Sequence, residues 1–208
     1  MDAGDLLKQV RLMPVVVIED ARKAVELAHI LLEAGIGAIE ITLRTECALA
    51  AIENIASAVP GILLGAGSVR TPQHFASISS AGAVFAVSPG HSDSLLAAAA
   101  AQRMPFVPAA ATASECIKLL EHGYRLQKFF PAELLGGVAN IKTLSAPLPE
   151  LRFFPSGGIT SANAREYLNC PAVACISGTW FLPMDALNAG DFETISRLAR
   201  EAVAIIKD

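Results

Sequence analysis

The stretch PVVVIEDARKAVELAHILLEAGIGAIEIT, residues 14–42, contains a strand, a helix and the start of a second strand in one reading frame. Residues 14–18 form a short β-rich apolar run. Residues 20–34 then place Ala21, Ala24, Val25, Leu27, Ala28, Leu31 and Leu32 at helical spacing. Gly35 suits the left-handed position that closes a helix, and a second apolar run occupies 38–42. The same alternation continues along the chain, with further runs at 62–66, 84–87, 105–107, 126–130, 152–154 and 173–176. Short apolar runs separated by amphipathic segments specify parallel strands joined by crossover helices. Eight such βα repeats in 208 residues predict an α/β chain folded as a single (β/α)8 TIM barrel over 1–208, with short loops. An open doubly wound sheet is the other arrangement of such repeats, but the first βα turn, Glu19-Asp20-Ala21, lacks the glycines of a dinucleotide site. Residues 2–12 are expected to form a short N-terminal helix across the bottom of the barrel. Asp191 is placed to cap the last helix, and the alanines at 97–101 suit a helix.

Composition narrows the function classes. The chain is 53% hydrophobic and 17% charged, enough to bury a large core. Its net charge is −4 and its basic residues are scattered, so no basic stripe exists to follow a nucleic-acid backbone. Mean hydropathy is +0.48, yet every apolar run is interrupted before membrane-spanning length, which points to a soluble protein with buried strands. The opening Met1-Asp2-Ala3-Gly4-Asp5 lacks the layout of a secretory signal, so a cytoplasmic location is expected. Cys47, Cys116, Cys170 and Cys175 show no CxxC spacing and read as free thiols. His29, His74 and His122 fall in helical stretches and only His91 lies near a strand end, so no metal site is expected.

Polar residues inside apolar runs carry the chemistry. In Ala38-Ile39-Glu40-Ile41-Thr42-Leu43-Arg44 the period of two puts Glu40, Thr42 and Arg44 on one face. Lys128 lies within Leu126-Gln127-Lys128-Phe129-Phe130, where an unpaired ammonium would cost several kcal/mol. A lysine amine in such surroundings is suited to attack a carbonyl carbon and form an imine. The same two residues could instead form a structural Lys128–Glu40 ion pair, and Arg44 alone could be a surface residue. Near the end of the chain, the seventh strand leads into Ser156-Gly157-Gly158 and the eighth into Ser177-Gly178-Thr179. Barrels often hold phosphate between these two loops, so Gly157, Gly158, Ser177, Gly178 and Thr179 are expected to bind one; ordinary turn chemistry is the competing explanation. Gly65-Ala66-Gly67-Ser68 and Ser88-Pro89-Gly90 are read as tight turns and hydroxyls at the same rim.

Together these residues resemble the 2-keto-3-deoxy-6-phosphogluconate (KDPG) / 4-hydroxy-2-oxoglutarate (KHG) aldolase family of class I lyases, over nearly the whole chain. The resemblance is carried by Glu40-Ile41-Thr42-Leu43-Arg44-Thr45-Glu46-Cys47-Ala48, Gly65-Ala66-Gly67-Ser68-Val69, Ser88-Pro89-Gly90, Lys128-Phe129-Phe130-Pro131-Ala132-Glu133, Gly157-Gly158-Ile159 and Gly178-Thr179-Trp180. It implies Lys128 as the Schiff-base lysine, Glu40 as the acid/base group and Arg44 as partner of the substrate carboxylate. Ser68, where Thr is usual, would sit beside that carboxylate. Pro89 and Ser156, the latter again replacing Thr, would line the substrate. Ser177 stands where Gly is common and Thr179 where Ser is common, changes expected to tighten or shift the phosphate pocket. Pro108-Ala109-Ala110-Ala111-Thr112 departs from a more usual Pro-Gly start.

The resemblance further implies cleavage of a phosphorylated keto acid into pyruvate and glyceraldehyde 3-phosphate, a step of the Entner–Doudoroff pathway. Unphosphorylated 4-hydroxy-2-oxoglutarate would be a second substrate, no cofactor would be needed, and a homotrimer is expected. Two other readings fit the same residues. Glu40 could be the base of a phosphosugar isomerase or epimerase, or the barrel could be a silent phosphometabolite-binding subunit.

Overall fold

The computed structural model describes residues 3–207. Helix α1 (Ala3–Leu6) precedes β1 (Leu12–Val16), and a 3-10 turn (Ala21–Lys23) opens α2 (Ala24–Glu33). Then follow β2 (Ala38–Thr42), α3 (Ala48–Ala58), β3 (Leu63–Gly67), α4 (Pro72–Ser80), β4 (Phe85–Val87) and α5 (Asp93–Gln102). The second half holds β5 (Phe106–Val107), α6 (Ala113–Glu121), β6 (Leu126–Phe129), a 3-10 turn (Glu133–Leu135), α7 (Gly137–Ser145) and β7 (Arg152–Pro155). It ends with α8 (Ala164–Leu168), β8 (Ile176–Gly178), α9 (Met184–Ala189) and α10 (Phe192–Lys207).

Every ladder is parallel. Six strands pair in the order β5-β4-β3-β2-β1-β8, and β6 pairs with β7. The sheet curls, and each seam between these two groups is bridged at one point, Ala109 to Lys128 and Phe153 to Val173. Two apolar clusters result. The larger lies between sheet and helices. The smaller joins Ala3 and Leu7 to inward residues of the strands, among them Met13, Phe85, Phe154 and Cys175. The concave face is therefore a packed floor beneath the strand ends.

Local chemistry explains most boundaries. Asp20 accepts the backbone N–H of Arg22 (3.0 Å) and opens the helical segment, and Gly35 takes φ +92° beyond its end. Asp191 accepts from the N–H of Thr194 (3.1 Å). Three expectations are corrected. The N-terminal helix is one turn rather than residues 2–12: after Leu7 the chain must turn, through Val10 N–H to Leu7 O, to enter β1, and Asp2 lies outside the described residues. The first strand begins at Leu12, not 14, because Pro14 sits within the ladder opposite Gly178. The last strand is Ile176–Gly178, not 173–176, because its chain divides its pairing: Val173 bridges Phe153, whereas Ile176 meets Leu12.

Helix α6 offers a clean energetic test. Thr112 accepts the N–H of Glu115 (3.3 Å), and the Glu115 carboxylate accepts from Ala111 N–H (2.8 Å) and Thr112 N–H (2.9 Å). Thr112→Ala should lower stability by about 1 kcal/mol in urea unfolding. The Ala111 N–H, with the Thr112 contacts, holds the Glu115 carboxyl below its ordinary 4.5. Because the folded value is the lower one, this stabilisation is present at neutral pH and lost as pH falls through it. The stability gap between the wild type and Glu115→Gln should therefore narrow below about pH 4, measured by urea unfolding across pH.

Candidate active site

Glu40 and Lys128 face each other across the concave side of the sheet. Lys128 Nζ lies 3.5 Å from Glu40 Oε1, with Lys128 6% and Glu40 1% exposed. Strand β2 brings in Glu40 and β6 brings in Lys128, which is pinned where its N–H reaches Pro108 O and its O accepts from Ala110 N–H (2.9 Å each). The ammonium also lies 5.7 Å from the centroid of the Phe130 ring and 5.9 Å from that of Phe154, distances at which ring faces attract cations. Yet neither carboxylate oxygen of Glu40 has a hydrogen-bond partner among the described residues. Buried polar atoms are nearly always satisfied, so two orphaned oxygens beside a lysine mark a place that other groups can enter.

Glycine makes room for this pair. A Cβ on Gly67 would fall 2.0 Å from Glu40 Oε1, and one on Gly65 2.1 Å from the Phe85 ring. Both glycines lie inside β3, not in the tight turn expected of them. They point inward two residues apart and leave space for one carboxylate and one ring. This spacing within an apolar run was the available signal.

The rim carries the remaining candidates. Strand β2 ends at Thr42, so Arg44 sits in the following turn, exposed, and its predicted parity on a strand does not apply. It still reaches the site, donating from Nε to Ser68 Oγ at 3.0 Å. Ser68 has φ +58°, a left-handed conformation rare outside glycine, and such strain concentrates at functional positions. Thr42, grouped with Glu40 by spacing, instead donates its hydroxyl to Val16 O (2.9 Å) and ties β2 to β1.

Arg44, Ser156, Gly157, Gly158, Ser177, Gly178 and Thr179 all line one cavity of about 160 Å³, with Val15, Phe130 and Ile159. Pro89 is exposed and does not line this cavity. Gly157 (φ +93°) and Gly158 (φ +83°) need glycine's freedom, and among the described residues their N–H groups donate to no partner. Paired free N–H groups form the kind of concavity that takes an anion. Gly178 allows the Trp180 ring to approach to 1.8 Å of where a Cβ would stand. Ser177 is buried and its hydroxyl is turned down to Pro155 O (3.4 Å), bracing β8 against β7.

Burial pushes the Cys116 thiol up to about 11 and the Cys175 thiol up to about 12, away from the nucleophilic thiolate. Among the described residues no group of three or more His, Cys, Asp or Glu side chains is arranged to hold a metal ion.

Residues 4–198 match the profile of the KDPG and KHG aldolase family. The chain is 44% identical over 201 residues to the KHG/KDPG aldolase of Escherichia coli K12, covering 97% of this chain and 94% of that one. It is likewise 44% identical over 202 residues to the 2-dehydro-3-deoxy-phosphogluconate aldolase of Dickeya dadantii, covering 97% and 95%. Its structure is similar to the KDPG aldolase of Legionella pneumophila, in which pyruvate was captured at low pH as a covalent carbinolamine intermediate. There the TM-score is 0.93 and the identity 38%, over 97% of this chain and 98% of that one.

The packing of Gly67 yields a prediction. Gly67→Ala should cost about 1–3 kcal/mol in urea unfolding, since the new methyl overlaps the Glu40 side chain. Truncating Glu40 removes the overlap. Glu40→Ala should therefore cost less in the Gly67→Ala background than in the wild type, by on the order of 0.5–3 kcal/mol in a double-mutant cycle.

Proposed function

The chain belongs to the KDPG and KHG aldolase family, and from that membership we propose the roles of its site residues. It is a carbon–carbon lyase that cleaves 2-dehydro-3-deoxy-6-phosphogluconate to pyruvate and glyceraldehyde 3-phosphate through a Schiff base. The observation that carries the residue roles is the buried Lys128–Glu40 contact of 3.5 Å, with unpartnered carboxylate oxygens.

Glu40 takes a proton from Lys128 Nζ, and the freed electron pair adds to the C2 ketone carbon to give a carbinolamine. Glu40 moves protons as water departs and a protonated imine remains. Glu40, through water, then takes the C4 hydroxyl proton. The C4–O bond becomes the aldehyde carbonyl, the C3–C4 bond breaks, and its electrons enter the imine to form an enamine. Glyceraldehyde 3-phosphate leaves. Protonation at C3 and hydrolysis release pyruvate and restore the amine. The scheme draws on no external cofactor.

Arg44, held by Ser68, is assigned to the substrate carboxylate. Pro89 and Ser156 are assigned to the substrate chain. Gly157, Gly158, Gly178, Thr179 and the backbone of Ser177 are assigned to the phosphate; the downturned Ser177 hydroxyl is already engaged with Pro155. The gluconate-derived phosphorylated acid is the proposed main substrate and 4-hydroxy-2-oxoglutarate a second one, cleaved to pyruvate and glyoxylate. The bridges at both seams support reading the curled sheet as a closed (β/α)8 barrel. A cytoplasmic homotrimer is proposed from the family resemblance. Among the described residues no helix is long and apolar enough to cross a membrane.

Incubation with pyruvate and borohydride should add one reduced pyruvyl group, mapped by peptide mass to Lys128. An isomerase or a silent binding protein would form no reducible adduct. Lys128→Ala should abolish both trapping and turnover, and near-normal turnover by that variant would overturn the scheme. Glu40→Gln should lower kcat by on the order of 10²–10⁴, the usual contribution of a positioned proton-transfer group.

A further inference from the structure

Among the described residues Tyr167 is the largest fully buried side chain, 1% exposed, and its hydroxyl donates to Glu133 Oε1. Neither residue lines the cavity at the rim. Both, however, close around the loop that does. Glu133 follows Lys128 in the chain by five positions and opens the 3-10 turn after β6. Its N–H donates to Gly157 O (3.1 Å), while Ala132 N–H donates to Ser156 O (2.8 Å). A Cβ on Gly158 would stand 2.5 Å from Glu133 Cγ, so the Glu133 stem occupies the space that Gly158 leaves. From the other side, Asn163 Nδ2 donates to Gly158 O (3.1 Å), and α8, which follows directly, carries Tyr167 back to Glu133. A Cβ on Gly137 would lie 3.1 Å from Glu133 Oε1 and 3.2 Å from the Tyr167 hydroxyl, so a third glycine permits the contact. The loop is thereby fastened at the carbonyls of Ser156, Gly157 and Gly158, while the N–H groups of Gly157 and Gly158 donate to no partner among the described residues.

We propose that Tyr167 and Glu133 are positioning residues for phosphate recognition: their hydrogen bond holds the Gly157–Gly158 loop at the distance where both N–H groups meet the substrate phosphate. This rests on the aldolase reading above and adds residues that touch neither the substrate nor the reacting atoms. The carboxylate is suited to the task because it accepts from the tyrosine while its stem and backbone contact the loop. Burial, with the neighbouring Glu133 carboxylate, pushes the Tyr167 hydroxyl well up, so the donor stays protonated across the working range of pH.

The test separates the phosphate end of the site from the imine end. Tyr167→Phe keeps the buried ring and removes only the donor. It should raise KM for the phosphorylated keto acid on the order of tenfold, the factor given by loss of one such hydrogen bond, with kcat nearly unchanged. The pyruvate concentration for half-maximal borohydride trapping should stay within about twofold of wild type, because pyruvate carries no phosphate. Glu133→Gln, whose amide carbonyl still accepts from Tyr167, should behave like wild type, and Glu133→Ala like Tyr167→Phe. An equal shift of KM and of the trapping midpoint would reduce the pair to general scaffolding and overturn the proposal. So would an unchanged KM in Tyr167→Phe, or a Glu133→Gln enzyme as impaired as Glu133→Ala. Failure of the wild type to trap pyruvate would instead refute the aldolase reading itself.

Discussion

Two opposite charges buried 3.5 Å apart on the concave side of a parallel sheet set the terms for the rest of the molecule. Taking an ammonium and a carboxylate out of water is costly, and their attraction offsets that cost only where the geometry is held. The holding is done by backbone. Lys128 is locked between the carbonyl of Pro108 and the N–H of Ala110, and Glu40 lies in a β2 segment paired to β1 and β3, where Gly67 of β3 has no side chain to displace its carboxylate. Below the pair, Phe85, Phe154, Met13 and the N-terminal Leu7 fill the floor and keep water out from that side. The Lys128 side chain thus sits at the top of an apolar stack, 6% exposed.

Strain and freedom are distributed around that amine in a consistent way. Ser68 holds a left-handed backbone that most residues avoid, and its hydroxyl anchors the exposed Arg44, a long side chain that would otherwise sample many rotamers. Gly157 and Gly158 take similar conformations without penalty, and among the described residues their N–H groups have no acceptor. The cavity at the rim is thereby lined by a braced cation, Arg44, and by two glycines whose N–H groups have no partner among the described residues. A cation and free N–H groups around one cavity suit an anionic group.

The two halves of the site are mechanically continuous. The 3-10 turn that follows β6 contributes Glu133, and Glu133 supports the glycine loop after the next strand through both its backbone and its side chain. Lys128 and the Gly157–Gly158 loop therefore share one supporting element, so their separation is set locally rather than by the sheet as a whole.

Much of this was legible in the linear sequence. The alternation of short apolar runs with amphipathic segments gave the parallel α/β layout, and seven of eight expected runs overlap their strands closely because burial on both faces leaves no other use for them. A charged residue inside such a run, Lys128 or Glu40, is conspicuous in sequence because burial makes it expensive. What the sequence could not decide was which groups meet. Gly65 and Gly67 read as a turn because a glycine's role depends on what occupies its missing side chain, here Glu40 and Phe85. Ser177 read as an anion ligand, but its hydroxyl bends to Pro155 because the β7–β8 seam needs a bond there. Val173 belongs by composition to the last apolar run, yet its partner is Phe153 and the strand itself starts at Ile176. Tyr167 and Glu133 are 34 residues apart, and nothing in their spacing shows that the two side chains meet. Periodicity and burial are properties of a segment and can be read from it. Contacts between distant residues arise only when the sheet curls and brings separate strand ends to one rim.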